Sequence, residues 1–381
     1  MRELDPGYCL EVDQISKDAW HDAMLGFADA AFYQTWSFGA VHSGEDRLSH
    51  VLLKRNGDLV AMAQVRIYKP PGLPLGIAFI SWGPMWKLKG QAENTGNLQN
   101  VIRGLYNEYA VRRGYFLTIL PKIIQNEHTA SLGQVFAAEG FSHREDPVQT
   151  VVLDLSPSLD ELRHYLDRTW RQSLKGAEKQ PLVFVEGTDG KVFDLALQLA
   201  REMKDRKKYF GGNQEELAEV QKDLPESHKL RILVCLYDGQ PISALGWPTI
   251  GTVGIPLVGG TGNIATKVKS SHLLWWKMVE YYKARGFSGL DTGGVSQERN
   301  PGGFLFKTHL VGKRFEKLDR YIGQFDACEN PLSRVLYRTI TRTRDAYRRV
   351  GRKLSAVAAR GSLFASSPHH GHDPRKRIGN G

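Results

Sequence analysis

The chain has 381 residues, 41% hydrophobic and 24% charged, a composition that suits an ordinary globular protein large enough for two domains. Three widely spaced cysteines, Cys9, Cys235 and Cys328, exclude a disulfide framework and a Cys-x-x-Cys metal pair and favour a reducing compartment. The net charge of +10 is not spread evenly: beyond residue 333 twelve Lys and Arg face only Asp345 and Asp373, so residues 1–333 are neutral overall.

The N-terminus, MRELDPGYCLEVDQ, holds acids where a secretory signal needs an apolar core, and no apolar run approaches ~18 residues. The expectation is a cytoplasmic protein that does not cross a membrane. Residues 20–36 suit a helix and a turn. LSHVLLKRNG at 48–57 is an apolar strand ending in the turn signal Asn56-Gly57. A strand pair follows, broken at Pro70-Pro71-Gly72, which no central strand tolerates. In the next helix Leu98, Val101, Ile102, Leu105 and Tyr109 repeat at a spacing of three to four, so one face is buried. It ends in Arg113-Gly114-Tyr115 and is followed by the strand FLTIL; a helix near 130–139 and a strand near 150–155 close the first half.

Ser158-Leu-Asp-Glu161 is a capping-box pattern that opens a helix with a basic side, Arg163, Arg168, Arg171, Lys175 and Lys179. A short strand and two helices come next. Then LRILVCLYDG at 230–239 repeats the first hairpin pattern at an offset of 182, with Asp238-Gly239 as its turn. A helix over 272–285 should bury Leu274, Trp275, Met278, Val279 and Tyr282, and it ends in Arg285-Gly286-Phe287 before the strand SGLDT. Two copies of a strand–turn–strand–helix–strand unit predict a mixed α+β fold of two tandem subdomains, 1–150 and 151–333, with a cleft between them. Residues 334–381 form a basic tail, helical at first and disordered at its end. It suits either a solvated helix or an electrostatic foot for an anionic membrane surface or an RNA.

Metal and hydrolase chemistry find little support. There is no His-Glu-x-x-His, no Gly-x-Ser-x-Gly and no Walker-type Gly-Lys-Ser; His369, His370 and His372 lie in the tail, where they could bind a metal adventitiously. Gly259-Gly260-Thr261-Gly262 is a weak nucleotide-loop signal. The loop Thr266–Ser271 leads into a helix whose first amides lack partners. Lys267, Lys269, Ser270 and Ser271 there suit a phosphate, or simply a serine cap with solvated lysines. Asp291 ends a strand before Thr292-Gly293-Gly294; it could hold or deprotonate an amine, or cap its own turn by an Asx bond. Lys307, framed by Leu305, Phe306 and Leu310 after the turn Asn300-Pro-Gly-Gly303, suits either a snorkelling surface lysine or a desolvated cation acting on a developing oxyanion.

Taken in order, TWRQSLKGAEK, YDGQPISALG, LDTGG, FLFK and YIGQFD, with Gln34-Thr35-Trp36 and Trp82-Gly83-Pro84 in the first half, resemble the Fem family of peptidoglycan interpeptide-bridge aminoacyltransferases over residues 20–330. The resemblance implies two GNAT-like acyltransferase subdomains and no tightly bound cofactor. It makes Phe306-Lys307 the pair whose lysine stabilises a tetrahedral intermediate. It places Arg206, with Tyr209 nearby, on a substrate phosphate, Arg171 and Lys175 at the edge of that site, and Trp36 against the substrate. The implied donor is aminoacyl-tRNA and the acceptor an amine of a peptidoglycan or other envelope precursor, met at the inner face of the plasma membrane. If the segment before His272 serves as a GNAT pyrophosphate loop, the donor is an acyl-CoA. Some family features differ: Arg-Gly-Pro reads Trp82-Gly83-Pro84, the acid after it is absent, Gly-Glu-Phe reads Gly323-Gln324-Phe325, and no lysine closely follows Trp36. These departures motivate a reading of another class, a non-catalytic membrane-surface binding protein that keeps the fold.

Overall fold

A computed structural model describes residues 1–127, 129–145, 148–207 and 214–343. Tyr209 and the part of the tail from 344 to 381 lie outside the described residues.

The two hairpins form as the turn residues dictate. Asn56 and Gly57 take φ of 52° and 94°, and Asp238 and Gly239 take 49° and 73°. Positive φ at both central residues is the tight-turn geometry that matches strand twist, and Asn-Gly and Asp-Gly adopt it at least cost. The strands they join are Leu48–Arg55 with Asp58–Tyr68, and Arg231–Tyr237 with Gln240–Trp247. Each pair carries one bulge, between Leu53 and Lys54 and between Cys235 and Leu236.

The helices of the repeat are Thr95–Leu105, continued by a wider turn to Arg112, and Ser270–Ala284. The first buries Leu98, Val101, Ile102, Leu105 and Tyr109 completely, as the spacing requires. In the second, Trp276 is buried and Trp275 only half-buried, the reverse of the sequence expectation, because Trp275 turns toward a cleft described below. The strands that follow are Phe116–Leu120 and Gly289–Asp291, and each pairs parallel with a neighbour, Ile77–Ser81 and Val253–Gly254. The unit is therefore repeated in three dimensions, and the fold is mixed α+β.

Two local expectations are corrected. The basic helix after Ser158 is two helices, Leu159–Tyr165 and Arg168–Glu178. The first carries the full capping box, and the second restarts on Asp167, whose carboxylate accepts from the Thr169 amide. The segment 266–271 is not a loop: Asn263–Val268 is a short helix, and Lys269 takes φ +60° between it and the next helix. Residues 331–343 are helical, in line with the helix expected at the start of the tail.

Chain topology ties the halves together. One sheet of seven strands runs, in spatial order, 8–12, 48–55, 58–68, 77–81, 116–120, 324–327 and 142–144. Strand Gln324–Ala327 lies within the span expected for the second subdomain, yet it sits between two strands of the first half. The second half has a four-stranded sheet, ordered 258–261, 240–247, 231–237 and 182–187, and a three-stranded one of 253–254, 289–291 and 152–154. The halves also share apolar cores: Phe32 and Phe38 pack with Phe193, Ile232 and Val234, and Ile250 packs with Trp20 and Met24.

Candidate active site

The lysine helix, Pro301–Val311, is fixed at both ends. The Asn300 side chain accepts from the Gly303 amide at 3.0 Å, and Pro301 supplies a preset φ in the first turn. Gly312 stops the helix at φ +60°, where a Cβ would come within 2.1 Å of the Tyr165 carbonyl oxygen, so only glycine fits.

Lys307 projects from this helix and is half-buried. Its ammonium donates to the carbonyl oxygens of Gly293 at 3.2 Å and Gly294 at 3.0 Å. Burial pushes its pKa down to about 8, with the charge of Asp291 opposing that shift. An ammonium with two of its three N–H groups held by main chain is an oriented donor, and at neutral pH it remains charged.

Asp291 is buried behind that loop. Its Oδ1 accepts from the Thr150 hydroxyl at 2.5 Å and the Gly293 amide at 2.9 Å, and its Oδ2 accepts from the Tyr321 hydroxyl. The Asx-turn reading of the sequence is thus the geometry seen. The carboxylate holds the Gly293 loop, and the loop holds Lys307. Tyr321→Phe removes one of three donors to a buried carboxylate, so it should destabilise the fold by about 2 kcal/mol in urea unfolding. A loss below about 0.5 kcal/mol would show that Asp291 is satisfied without the phenol.

Beside Lys307 lies a cleft of about 590 Å³. It opens where the sheets of the second half part, with residues 256–261 on one wall and Thr292, Gly293 and Gly294 on the other. Lys269, Ser271, His272, Trp275, Phe306 and Lys307 are among the other lining residues. The Phe306 ring is set edge-on to His272 and Trp275, with centroids 5.0 and 5.3 Å apart. No carboxylate lines the cleft among the described residues. Burial takes the His272 pKa down to about 4, with the Lys269 charge acting in the same direction, so the imidazole is neutral at pH 7. Among the described residues its Nδ1 and the buried Thr292 hydroxyl have no hydrogen-bond partner. Sequence reasoning missed both groups, since a histidine in a helix's first turn and a threonine after a strand carry no distinguishing pattern.

The other sequence candidates are placed as follows. Ser270 points inward and hydrogen-bonds Ser243 at 2.7 Å, whereas Lys267 is exposed outside the cleft lining. Arg206 is exposed near the rim, where its guanidinium donates to Asn263 at 2.6 Å and to the carbonyl of Thr261, a lining residue. Arg171 donates to the His164 carbonyl at 3.0 Å and Lys175 is exposed; neither lines the cleft. Their helix reaches the site through Trp170, 4.9 Å from His272 and 5.7 Å from Phe306 between centroids. Trp36 stacks on His50 at 3.7 Å in the first half and does not line the cleft. Gly260 is no nucleotide loop: a Cβ there would meet the backbone of Leu199 and Ala200 at 2.5 Å, because the helix Gly190–Lys207 packs directly on that strand.

Residues 163–307 match the family model of the acetyltransferase (GNAT) domain. Among curated proteins no sequence matches the chain. Among solved structures the fold is similar to that of FemX, with a TM-score of 0.72 at 15% identity, covering 87% of this chain and 99% of that one. The C-terminal domain of a putative lysylphosphatidylglycerol synthetase from Agrobacterium fabrum is similar at a TM-score of 0.53 and 13% identity, over 84% and 96% of the two chains. A conserved protein of unknown function from Bacteroides thetaiotaomicron reaches 0.51 at 12% identity, over 84% and 99%. The chain thus carries a GNAT-type acyltransferase domain over residues that include the cleft lysine Lys307, set within a fold it shares with FemX.

Proposed function

We propose that the protein transfers an aminoacyl group from aminoacyl-tRNA to an amine of a peptidoglycan or other envelope precursor. The observation that carries this reading is Lys307, held on two main-chain carbonyls at the wall of a cleft that no carboxylate among the described residues lines. The likeness to FemX across both halves, and that to a protein named for lysylphosphatidylglycerol, support an aminoacyl donor over a simple acetyl donor.

In this reading the acceptor amine attacks the ester carbonyl, and negative charge develops on the carbonyl oxygen. The third N–H of Lys307 meets that charge. Ester aminolysis is intrinsically easy, so orientation and oxyanion stabilisation supply most of the needed acceleration. The amine proton passes to neutral His272 or to water, since Asp291 is occupied by its own donors. Collapse of the intermediate forms the amide and releases the ribose hydroxyl. Arg206 and Lys269 lie toward phosphate groups of the substrates.

A second reading keeps the same acceptor and uses an acyl-CoA. The helix Ser270–Ala284 favours it, because its first turn has no side-chain cap and borders the cleft through Ser271. One experiment separates the two. Purified protein is incubated with a mixed pool of charged tRNA or with acetyl-CoA, and with an envelope-precursor amine, with and without ribonuclease. Ribonuclease-sensitive labelling of the amine is expected. Free thiol released from acetyl-CoA would replace the aminoacyl reading, and no transfer from either donor would favour a binding protein.

A further inference from the structure

Thr292 stands one residue beyond the strand Gly289–Asp291, and alternation along the extended chain sends its side chain to the face opposite Asp291. Asp291 turns back toward Thr150 and Tyr321, and Thr292 turns into the cleft lining. Its amide is used, donating to the Val151 carbonyl at 3.0 Å, and the residue is only 1% exposed. Among the described residues no group bonds its hydroxyl. A buried hydroxyl without a partner destabilises the fold, and valine would fill the same space without that cost. Its presence on a cleft wall therefore points to a bond made with a bound molecule.

We propose that the Thr292 hydroxyl is the second donor to the oxyanion that Lys307 meets, an assignment that deepens the aminoacyl-transfer reading and rests on it. The Lys307 ammonium is bound to the carbonyls of the next two residues, 3.2 Å from Gly293 and 3.0 Å from Gly294, so both donors belong to one wall of the cleft. A cation so near draws the lone pairs of a free hydroxyl toward itself and turns the O–H outward. Thr292 so oriented donates. As the acceptor amine attacks, the C–N bond forms and the carbonyl π pair moves onto oxygen. Lys307 has one N–H left for that oxygen, whose lone pairs take more than one hydrogen bond. Thr292 supplies another and gives up no proton. On collapse the C=O bond re-forms, the ester C–O bond breaks, and the leaving oxygen takes the proton that the amine has lost. The other unpaired polar group of the lining, His272 Nδ1, faces that proton's path. The two unpaired groups thus match the two places where charge changes.

The test uses the full chain with the charged-tRNA pool and the envelope-precursor amine. Thr292→Val removes the hydroxyl and keeps the branched shape. It should lower kcat by about 10–100-fold and leave KM within about twofold, a smaller loss than for the charged Lys307. Thr292→Ser, which keeps the hydroxyl, should stay within about threefold of the wild type. The valine variant should melt at or above the wild-type temperature, because a methyl group replaces an unpaired polar one. Near-normal kcat in Thr292→Val, with Lys307→Met impaired, would overturn the proposal and leave the transfer reading standing. A valine variant that loses rate and melting temperature together would assign the hydroxyl to the fold and overturn it as well. A wild-type chain that transfers from no donor would remove both.

Discussion

Lys307→Met is expected to leave the fold and substrate binding intact and to lower kcat by about 10²–10³. Methionine keeps most of the aliphatic stem beside Phe306 and Trp275, so the change isolates the charge. The ammonium meets only a dipole in the ground state and a full negative charge in the intermediate. Its loss therefore weighs on the transition state, and KM should move little. Lys307→Arg should rescue poorly, since a planar fork cannot replace a compact ammonium between the Gly293 and Gly294 carbonyls. With the ammonium pKa at about 8, wild-type kcat should also decline as pH rises through that value. Single-turnover rates on a demonstrated donor and acceptor measure both effects. A methionine variant with turnover near that of the wild type would remove Lys307 from the chemistry.

Acid should loosen the protein well before its surface carboxylates are neutralised. His21, on the helix Lys17–Met24, and His228, in the turn Glu226–His228, meet across the two halves with ring centroids 5.0 Å apart. They are 2% and 0% exposed, and neither Nε2 has a partner among the described residues. Burial is the main cause that takes both down to about 4; Lys17 adds to it for His21, and the facing His21 adds to it for His228. Asp18 and Asp223 pull His21 the other way, as Asp22 does His228.

An unfolded histidine titrates near 6.5, so between about 6.5 and 4 the unfolded chain binds more protons than the folded one. Stability is complete above that window and falls as pH drops through it. For one such histidine the loss reaches about 3 kcal/mol at pH 4. Protonating the second against the first would cost more. Urea unfolding at pH 7, 6 and 5 should show the decline, and a double variant His21→Leu/His228→Leu should make it shallower, leaving the share of His50 and His272, which burial also takes down to about 4. A stability that does not change between pH 7 and 5 would contradict the depressed pair.

The sequence carried the local plan well, because its signals were short-range. Asn56-Gly57 and Asp238-Gly239 specify their turns within two residues, and the Ser158–Glu161 box writes its own hydrogen bonds. The buried face of the first repeat helix follows from spacing alone. Lys307 stood out only by its motif, since nothing local tells a snorkelling lysine from one held by carbonyls fourteen residues upstream. Asp291 remained open between base and turn cap because the choice depends on Thr150 and Tyr321, far away in the chain. A cleft was expected between the two subdomains, and Lys269, Ser271, Phe306 and Lys307 do line one, but it lies within the second half, and His272 and Thr292 join it only in three dimensions. The contact face of the 331–343 helix was equally hidden, because its partners are Phe116, Gly114 and Arg144.

Strand Gln324–Ala327 has a consequence for the order in which the molecule can be made. Among the described residues, 142–144 pair with this strand alone, and Phe116–Leu120 needs it to complete its second edge. Thr118 and Asp326, which hydrogen-bond at 2.6 Å, are 208 positions apart. A ribosome has therefore built the entire acyltransferase domain before the first sheet can receive its last inner strand. Until then an open edge of apolar residues, Phe116, Leu117 and Ile119, waits on a nascent chain. Unpaired edges of this kind recruit foreign strands. The half of the protein that emerges first is thus the half that finishes folding last, and the half that holds the GNAT domain matures beside an incomplete neighbour.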